Sequence, residues 1–287
     1  MEIKESNEPY VFQVDSELVK NIYNAKDNFL VSYNEKATDR STCAIYFSSN
    51  DIYYPNSKEV FTERIVEKNF FEWYGTRIEN VYKHILLRDV HKQWYLSGIN
   101  KEVNSPEKLK DFLKEQTQGL SVITLGSSAG GYAAVLYGSL IGAKKAISFN
   151  GQFELVSLLD SSDSKTDPYV FRYRSLPRSR YYDIKPFINK EMDIYYFGSA
   201  KSTWDSEQYN HVREVNTLNA LLFNTKHHGI PFLKSALNVV INMDVKKLKK
   251  YTTRKNNPVL FSIKMIGIIK TFQGAKKQLL YKYKKRN

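Results

Sequence analysis

The sequence predicts an α/β domain, with a mostly parallel central sheet, helices on both of its faces and a basic helical tail at the carboxyl end. Three observations predict it. Short apolar or β-branched runs alternate with helix-compatible stretches through the middle of the chain. One of those runs, Leu120–Leu125, passes directly into a glycine-rich turn and then a small-residue helix pattern. The excess positive charge is confined to the last segment.

At 287 residues, 42% of them hydrophobic and 14% aromatic, the chain has ample material for a packed core. Its formal net charge is +13, but residues 245–287 hold 14 Lys and Arg and no acidic residue. The rest then carries 29 basic against 30 acidic residues. A near-neutral body argues against nucleic acid as a partner, whatever the overall pI. The single cysteine, Cys43, excludes an internal disulfide and reads as a buried strand residue, which fits a reducing compartment. Met1–Pro9 is polar and acidic, so no secretory signal is expected. No window approaches the roughly 18 apolar residues of a spanning helix. The expected location is cytoplasmic.

Tyr10–Val14 and Asn28–Tyr33 read as opening strands, and Cys43–Phe47 as a short buried strand ending in the loop residues Ser48-Ser49-Asn50-Asp51. Val60–Trp73 has helical spacing of Val60, Phe61, Ile65, Phe70 and Phe71. Val81–Leu87 is a strand ending at Arg88-Asp89, and Pro106–Gln118 an amphipathic helix. After Leu120–Leu125 come a tightly packed helix over Tyr132–Ile141 and a strand over Lys145–Phe149. Residues 151–190 are irregular, with a polar cluster at 161–167, and fit an insertion or cap. Met192–Phe197 and Leu218–Phe223 are the last strands, separated by the helix-compatible Ser206–Val215. The expected domain spans 1–244, followed by the tail, 245–287.

Gly126-x-Ser128-x-Gly130 is a nucleophile-elbow pattern, here between a buried strand and a small-residue helix. Such a turn lifts a serine hydroxyl clear of the sheet and aims a helix N-terminus at the reacting group. Ser128 is therefore the candidate nucleophile. A serine needs a base, and in folds with this elbow the order is Ser, acid, His. His84 and His91 precede the serine, and His211 reads as a solvated helix residue. His227 and His228 follow the last strand; His228 is preferred because Gly229 permits the tight turn beside it. Asp205, after Met192–Phe197, is the candidate acid, with Glu207 as the fallback; Asp193 opens its strand at the far end. The oxyanion hole needs two backbone N–H groups, one from Ala129 and one from Ser49 or Ser48. Arg88 and Asp89 sit where a strand ends, as residues that bind substrate or support those that do, or as a surface pair. Tyr169, Phe171, Tyr173, Tyr181 and Tyr182 are candidates for stacking on sugars or for the core. No metal-ligand spacing is present.

These residues also carry a resemblance. Ile45-Tyr46-Phe47-Ser48-Ser49, Arg88-Asp89 with Trp94-Tyr95 and Gly98, the run from Gly126 to Tyr132, and His228-Gly229 resemble the α/β-hydrolase-type proteins encoded with bacterial capsule and other surface-polysaccharide genes. Some of those are serine-dependent polysaccharide O-acetyltransferases. The resemblance is motif-level and covers residues 43–237. It implies the α/β-hydrolase fold, Ser128, Asp205 and His228 as the catalytic set, a glycan substrate, no bound cofactor and acetyl-CoA as a candidate acyl donor. An esterase or deacetylase with the same set, or a non-catalytic scaffold binding a glycan or a glycosyltransferase, remain alternatives.

The tail beyond Pro258 mixes eleven large apolar residues between Val259 and Leu280 with Lys264, Lys270, Lys276 and Lys277. That composition suits a helix lying on an anionic membrane at its inner face, or a final helix packed on the core. Polysaccharide-assembly enzymes are further candidate partners.

Overall fold

The computed structural model describes residues 13–160, 168–252 and 254–286. Seven strands form one sheet: β1 (Phe29–Tyr33), β2 (Thr42–Phe47), β3 (Lys83–Leu87), β4 (Ser121–Ser127), β5 (Lys145–Phe149), β6 (Asp193–Ser199) and β7 (Leu218–Phe223), in the spatial order β1-β3-β2-β4-β5-β6-β7. Only β1 runs antiparallel, against β3; the other pairings are parallel. This is the α/β-hydrolase type of fold that the resemblance implied. The central strands are buried on both faces, which is why they read as continuous apolar runs rather than as alternating ones.

The side-chain alternation divides the core into two layers. Cys43, Ile45 and Phe47 of β2 face a cluster with Tyr132, Ala133, Leu136 and Tyr137 of α3 (Ala129–Ile141). Leu109 and Leu113 of α2 (Pro106–Gln116) join it, following α1 (Glu17–Ala25) in the chain. Ala44 and Tyr46 face the other way, onto a cluster that includes Phe232, Val240 and Phe261. Cys43 is fully buried, and burial pushes its thiol up to about 12.

Two expectations are corrected. Of Tyr10–Val14, residues 10–12 lie outside the described residues, and 13–15 are helical rather than extended. The helix expected over 60–73 begins at Lys58 and stops at Glu67; Asn69 takes φ 45°, and Phe71 and Trp73 turn back onto the sheet, while Phe70 packs with Phe61 and Ile65. Of the two readings of the tail, the structure bears on the one in which it packs on the body. After α4 (Thr203–Val212) and α5 (Leu237–Ile241), Leu248 of α6 (Val245–Lys249) and Phe261 of α7 (Pro258–Ile266) enter the second core layer, and α8 (Ile268–Arg286) packs behind them. Among the described residues no helix is long and apolar enough to cross a membrane.

In the 151–190 stretch, residues 161–167 lie outside the described residues. Phe153, Leu155, Tyr181, Tyr182 and Ile184 are buried against the layer that holds α3.

The topology places a site. From β2 the chain moves outward to β3, and from β4 it moves outward the other way to β5, so the strand order reverses between β2 and β4. A crevice opens at the carboxyl ends of the two strands at such a switch point. The residues that follow them are Ser48-Ser49 and Ser128.

Candidate active site

β4 ends at Ser127 and α3 starts at Ala129, so Ser128 alone makes the turn. Its backbone sits at φ 52°, ψ −124°, a region that L residues avoid unless the surroundings impose it. They do so from both sides: the Ser128 N–H donates to the Phe149 carbonyl at 2.9 Å, and its own carbonyl accepts from Tyr132 N–H at 3.0 Å. A Cβ on Gly126 would lie 2.1 Å from the Gly130 carbonyl oxygen, and one on Gly130 would lie 2.3 Å from that of Phe47. Only glycine lets strand and helix approach this closely.

His228 Nε2 lies 2.8 Å from Ser128 Oγ, and His228 Nδ1 lies 2.7 Å from Asp205 Oδ1. An ionised carboxylate can only accept, so the proton of a neutral imidazole belongs on Nδ1. Nε2 is then left to accept from the serine hydroxyl. Asp205 is almost fully buried in the first turn of α4, where unpaired helix N–H groups favour a negative charge. Its N–H donates to Ser202 Oγ at 3.3 Å, the helix cap. Trp204 stacks on the imidazole, with ring centroids 5.3 Å apart and planes inclined by 29°.

A second set of residues, missed in the sequence, holds the histidine loop. Asn150 Nδ2 donates to the carbonyls of Gly229 at 2.8 Å and His227 at 3.3 Å, while Ser199 Oγ donates to His227 at 2.6 Å. Ser199 N–H closes the network by donating to Asn150 Oδ1 at 2.8 Å. Gly229 turns the chain at φ 98°. Thus the His227 carbonyl is anchored inward while its ring is exposed, and His228, one residue on, faces the serine. Asn150 and Ser199 follow or end β5 and β6 at the crevice side, which is the signal that singles them out.

The other candidates fall elsewhere. Glu207 is exposed and makes no bond to His228, so it is not the partner acid. It lines two shallow depressions, one of about 320 Å³ with Ser157, Leu158 and Trp204, the other of about 490 Å³ with Glu154, Val156, Asp183, Asn210 and His211. His211 is not simply solvated, because its Nε2 lies 2.9 Å from Asp183 Oδ1.

Arg88 and Asp89 are neither a surface pair nor open to a substrate. Both are buried and bind different partners. Arg88 donates through Nε to Asn28 Oδ1 at 2.9 Å and lies over the Phe71 ring. Asp89 accepts from the N–H groups of His91, Gln93 and Tyr95 at 3.0, 2.7 and 2.9 Å; burial still pushes its carboxyl up to about 6. The loop so folded sends Tyr95 Oη to donate to the Ser48 carbonyl at 3.0 Å. Arg88 and Asp89 therefore act on the site only through the turn that follows β2.

In that turn both expected oxyanion donors are engaged by other groups. Ser48 N–H donates to the Leu87 carbonyl at 3.1 Å, as part of the sheet. Ser49 N–H donates to Glu72 Oε2 at 2.5 Å, and its hydroxyl to Glu72 Oε1 at 3.1 Å. Neither serine offers a free N–H in this conformation. Burial raises the Glu72 carboxyl above its ordinary value, against the pull of these bonds. Ala129 N–H, at the first residue of α3, is one of the helix donors with no partner inside the helix. Of the aromatics considered, Tyr181 and Tyr182 are core residues, and Tyr182 Oη donates to the Val170 carbonyl at 2.5 Å. Phe171 and Tyr173 are half-buried, the first under Arg174 and the second under Arg178. The side chain of Tyr169 lies outside the described residues.

No family model matches the sequence, and no curated protein matches it. Solved structures with a similar chain path include the capsule O-acetyltransferase of Neisseria meningitidis serogroup A, at 13% identity over 69% of this chain and 83% of that one, TM-score 0.48. An S-formylglutathione hydrolase from Agrobacterium tumefaciens matches at 11% identity over 78% of this chain and 89% of its own, TM-score 0.45. A fluorophosphonate-binding serine hydrolase of Staphylococcus aureus matches at 13% identity over 79% and 92%, TM-score 0.46.

Proposed function

We propose that the protein is a serine-dependent acyl-transfer enzyme that O-acetylates a bacterial surface polysaccharide through an acyl-enzyme on Ser128. The observation that carries this is the hydrogen-bonded line from Ser128 Oγ through His228 to Asp205, at the strained turn of a nucleophile elbow. His228 takes the proton of Ser128 as its oxygen attacks the donor carbonyl, and returns it to the leaving group as the tetrahedral intermediate collapses. A sugar hydroxyl, activated in turn by His228, attacks the acyl-enzyme and frees Ser128. Asp205 orients the imidazole and stabilises its charged form. The motif-level resemblance supports the glycan. So does the shallow depression lined by Ser157, Leu158, Trp204 and Glu207, whose Trp204 ring stacks on His228. Acetyl-CoA is the proposed donor, used as a substrate.

The test is the intact mass of the protein after incubation with acetyl-CoA, and separately with an aryl acetate. One acetyl group on a peptide containing Ser128, discharged faster by an added glycan than by water, is expected. Discharge by water alone at the same rate, with or without glycan, makes the protein an esterase. No acetylation with either donor removes the proposal.

Glu72 supplies a second prediction. Its carboxylate holds the Ser49 N–H, the donor a developing oxyanion needs, and an anion there opposes negative charge on the reacting oxygen. Glu72→Gln removes that charge. Aryl acetate turnover at neutral pH is expected to rise by up to about tenfold, on the order of 1.4 kcal/mol of barrier. Stopped-flow measurement of the acylation step checks it, and a fall in rate instead assigns Glu72 a supporting role.

A further inference from the structure

We propose that the outward face of α8 docks on the surface of an anionic lipid bilayer, with its apolar stripe at the boundary of headgroups and acyl chains. The helix presents two distinct faces. Its inner face carries Thr271, which is buried, and Gly274, where an added Cβ would meet Ser235 Oγ at 2.3 Å. Gln278, whose side-chain oxygen is buried, completes that face. These three follow one another at helical spacing, and their small or polar side chains let the helix lie close to the body. The large apolar residues point away: Ile268, Ile269, Phe272, Leu279 and Leu280 are 60%, 74%, 63%, 69% and 52% exposed.

On a helix that turns about 100° per residue, these five fall within an arc of roughly 120°, centred roughly 150° from the docked face. None of the described residues covers them. Lys276 stands within the arc and Lys270 and Lys277 lie to one side of it, all three exposed. An exposed apolar stripe of this size marks a contact surface.

Charge identifies the occupant. Residues 245–287 hold 14 basic and no acidic residues, while the rest of the chain is close to neutral. A second copy would bring the same uncompensated charge to the contact. A bilayer with anionic headgroups supplies both what the stripe needs and what the lysines need. The helix does not qualify as a membrane span, so it lies in the plane of the surface. α7 and α8 are braced against the continuation of the His228 loop: Leu233 N–H donates to Ser262 Oγ at 3.2 Å, and Ser235 abuts Gly274. The inference does not depend on Ser128 chemistry.

Co-sedimentation of the full-length protein with phosphatidylglycerol–phosphatidylcholine vesicles, and with phosphatidylcholine alone, tests it. The mixed vesicles are expected to bind about tenfold or more tightly, less so at high salt. The double variant Phe272→Asp, Leu280→Asp should lose about tenfold or more of that binding, with unchanged melting, because both side chains are exposed. The triple variant Lys270→Glu, Lys276→Glu, Lys277→Glu should lose the salt-sensitive part. Equal binding to both vesicle types, or undiminished binding by the folded double variant, overturns the proposal. So does a wild-type dimer, seen by light scattering, that the double variant dissociates while vesicle binding persists; the stripe is then an interface between copies.

Discussion

Ser128→Ala is expected to abolish both covalent labelling by a serine-directed phosphonate and turnover of a soluble ester, leaving the folded protein intact. The hydroxyl oxygen is the only atom removed, and the hydrogen bond it makes is the one to His228 Nε2. The turn is held instead by the backbone bonds to Phe149 and Tyr132, which alanine keeps. The melting temperature should therefore change little while activity falls to background. Turnover that survives in Ser128→Ala removes the serine mechanism altogether.

His228→Ala is expected to lower kcat by roughly 10⁴-fold or more, about 5 kcal/mol of barrier, because the serine loses its proton acceptor. His227→Ala, next to it, should leave most of the activity. What His227 contributes to the loop is its carbonyl, held by Ser199 and Asn150, and alanine retains a carbonyl. Asp205→Asn should cost less than the loss of either Ser128 or His228. An amide beside Nδ1 favours the tautomer that puts a proton on Nε2, yet the imidazole is still present. Steady-state kinetics on an aryl acetate checks all three. A crippled His227→Ala with an active His228→Ala would mean that the loop turns the other ring inward during catalysis.

Much of the fold was legible because local sequence and burial agree. β2 through β6 are apolar runs since both faces are covered, and alternation along β2 sends Cys43 and Ile45 to one layer and Ala44 and Tyr46 to the other. The helix expected over 60–73 shows the limit. Its apolar spacing continues past Glu67, but Phe71 and Trp73 are drawn to the sheet, and Trp73 Nε1 donates to the Phe47 carbonyl at 2.9 Å. Periodicity records that side chains are buried; it does not say whether a helix or a returning loop buries them.

By itself the sequence determined the α/β architecture, the place of Ser128 between strand and helix, the order in which an acid and a histidine would follow it, and the confinement of the charge to the tail. Each of these depends on residues near one another in the chain or on composition. Tertiary structure alone decided that Glu72 takes the Ser49 N–H, that Arg88 and Asp89 are buried supports, and that Asn150 and Ser199 anchor the histidine loop. It also decided which side of α8 meets the body. Those outcomes depend on pairings between distant segments, in which a buried donor must find whichever acceptor the packing brings to it. An amphipathic pattern shows that a helix has two faces. Only packing shows that Gly274 and Thr271 are turned inward while Phe272 and Leu279 remain exposed.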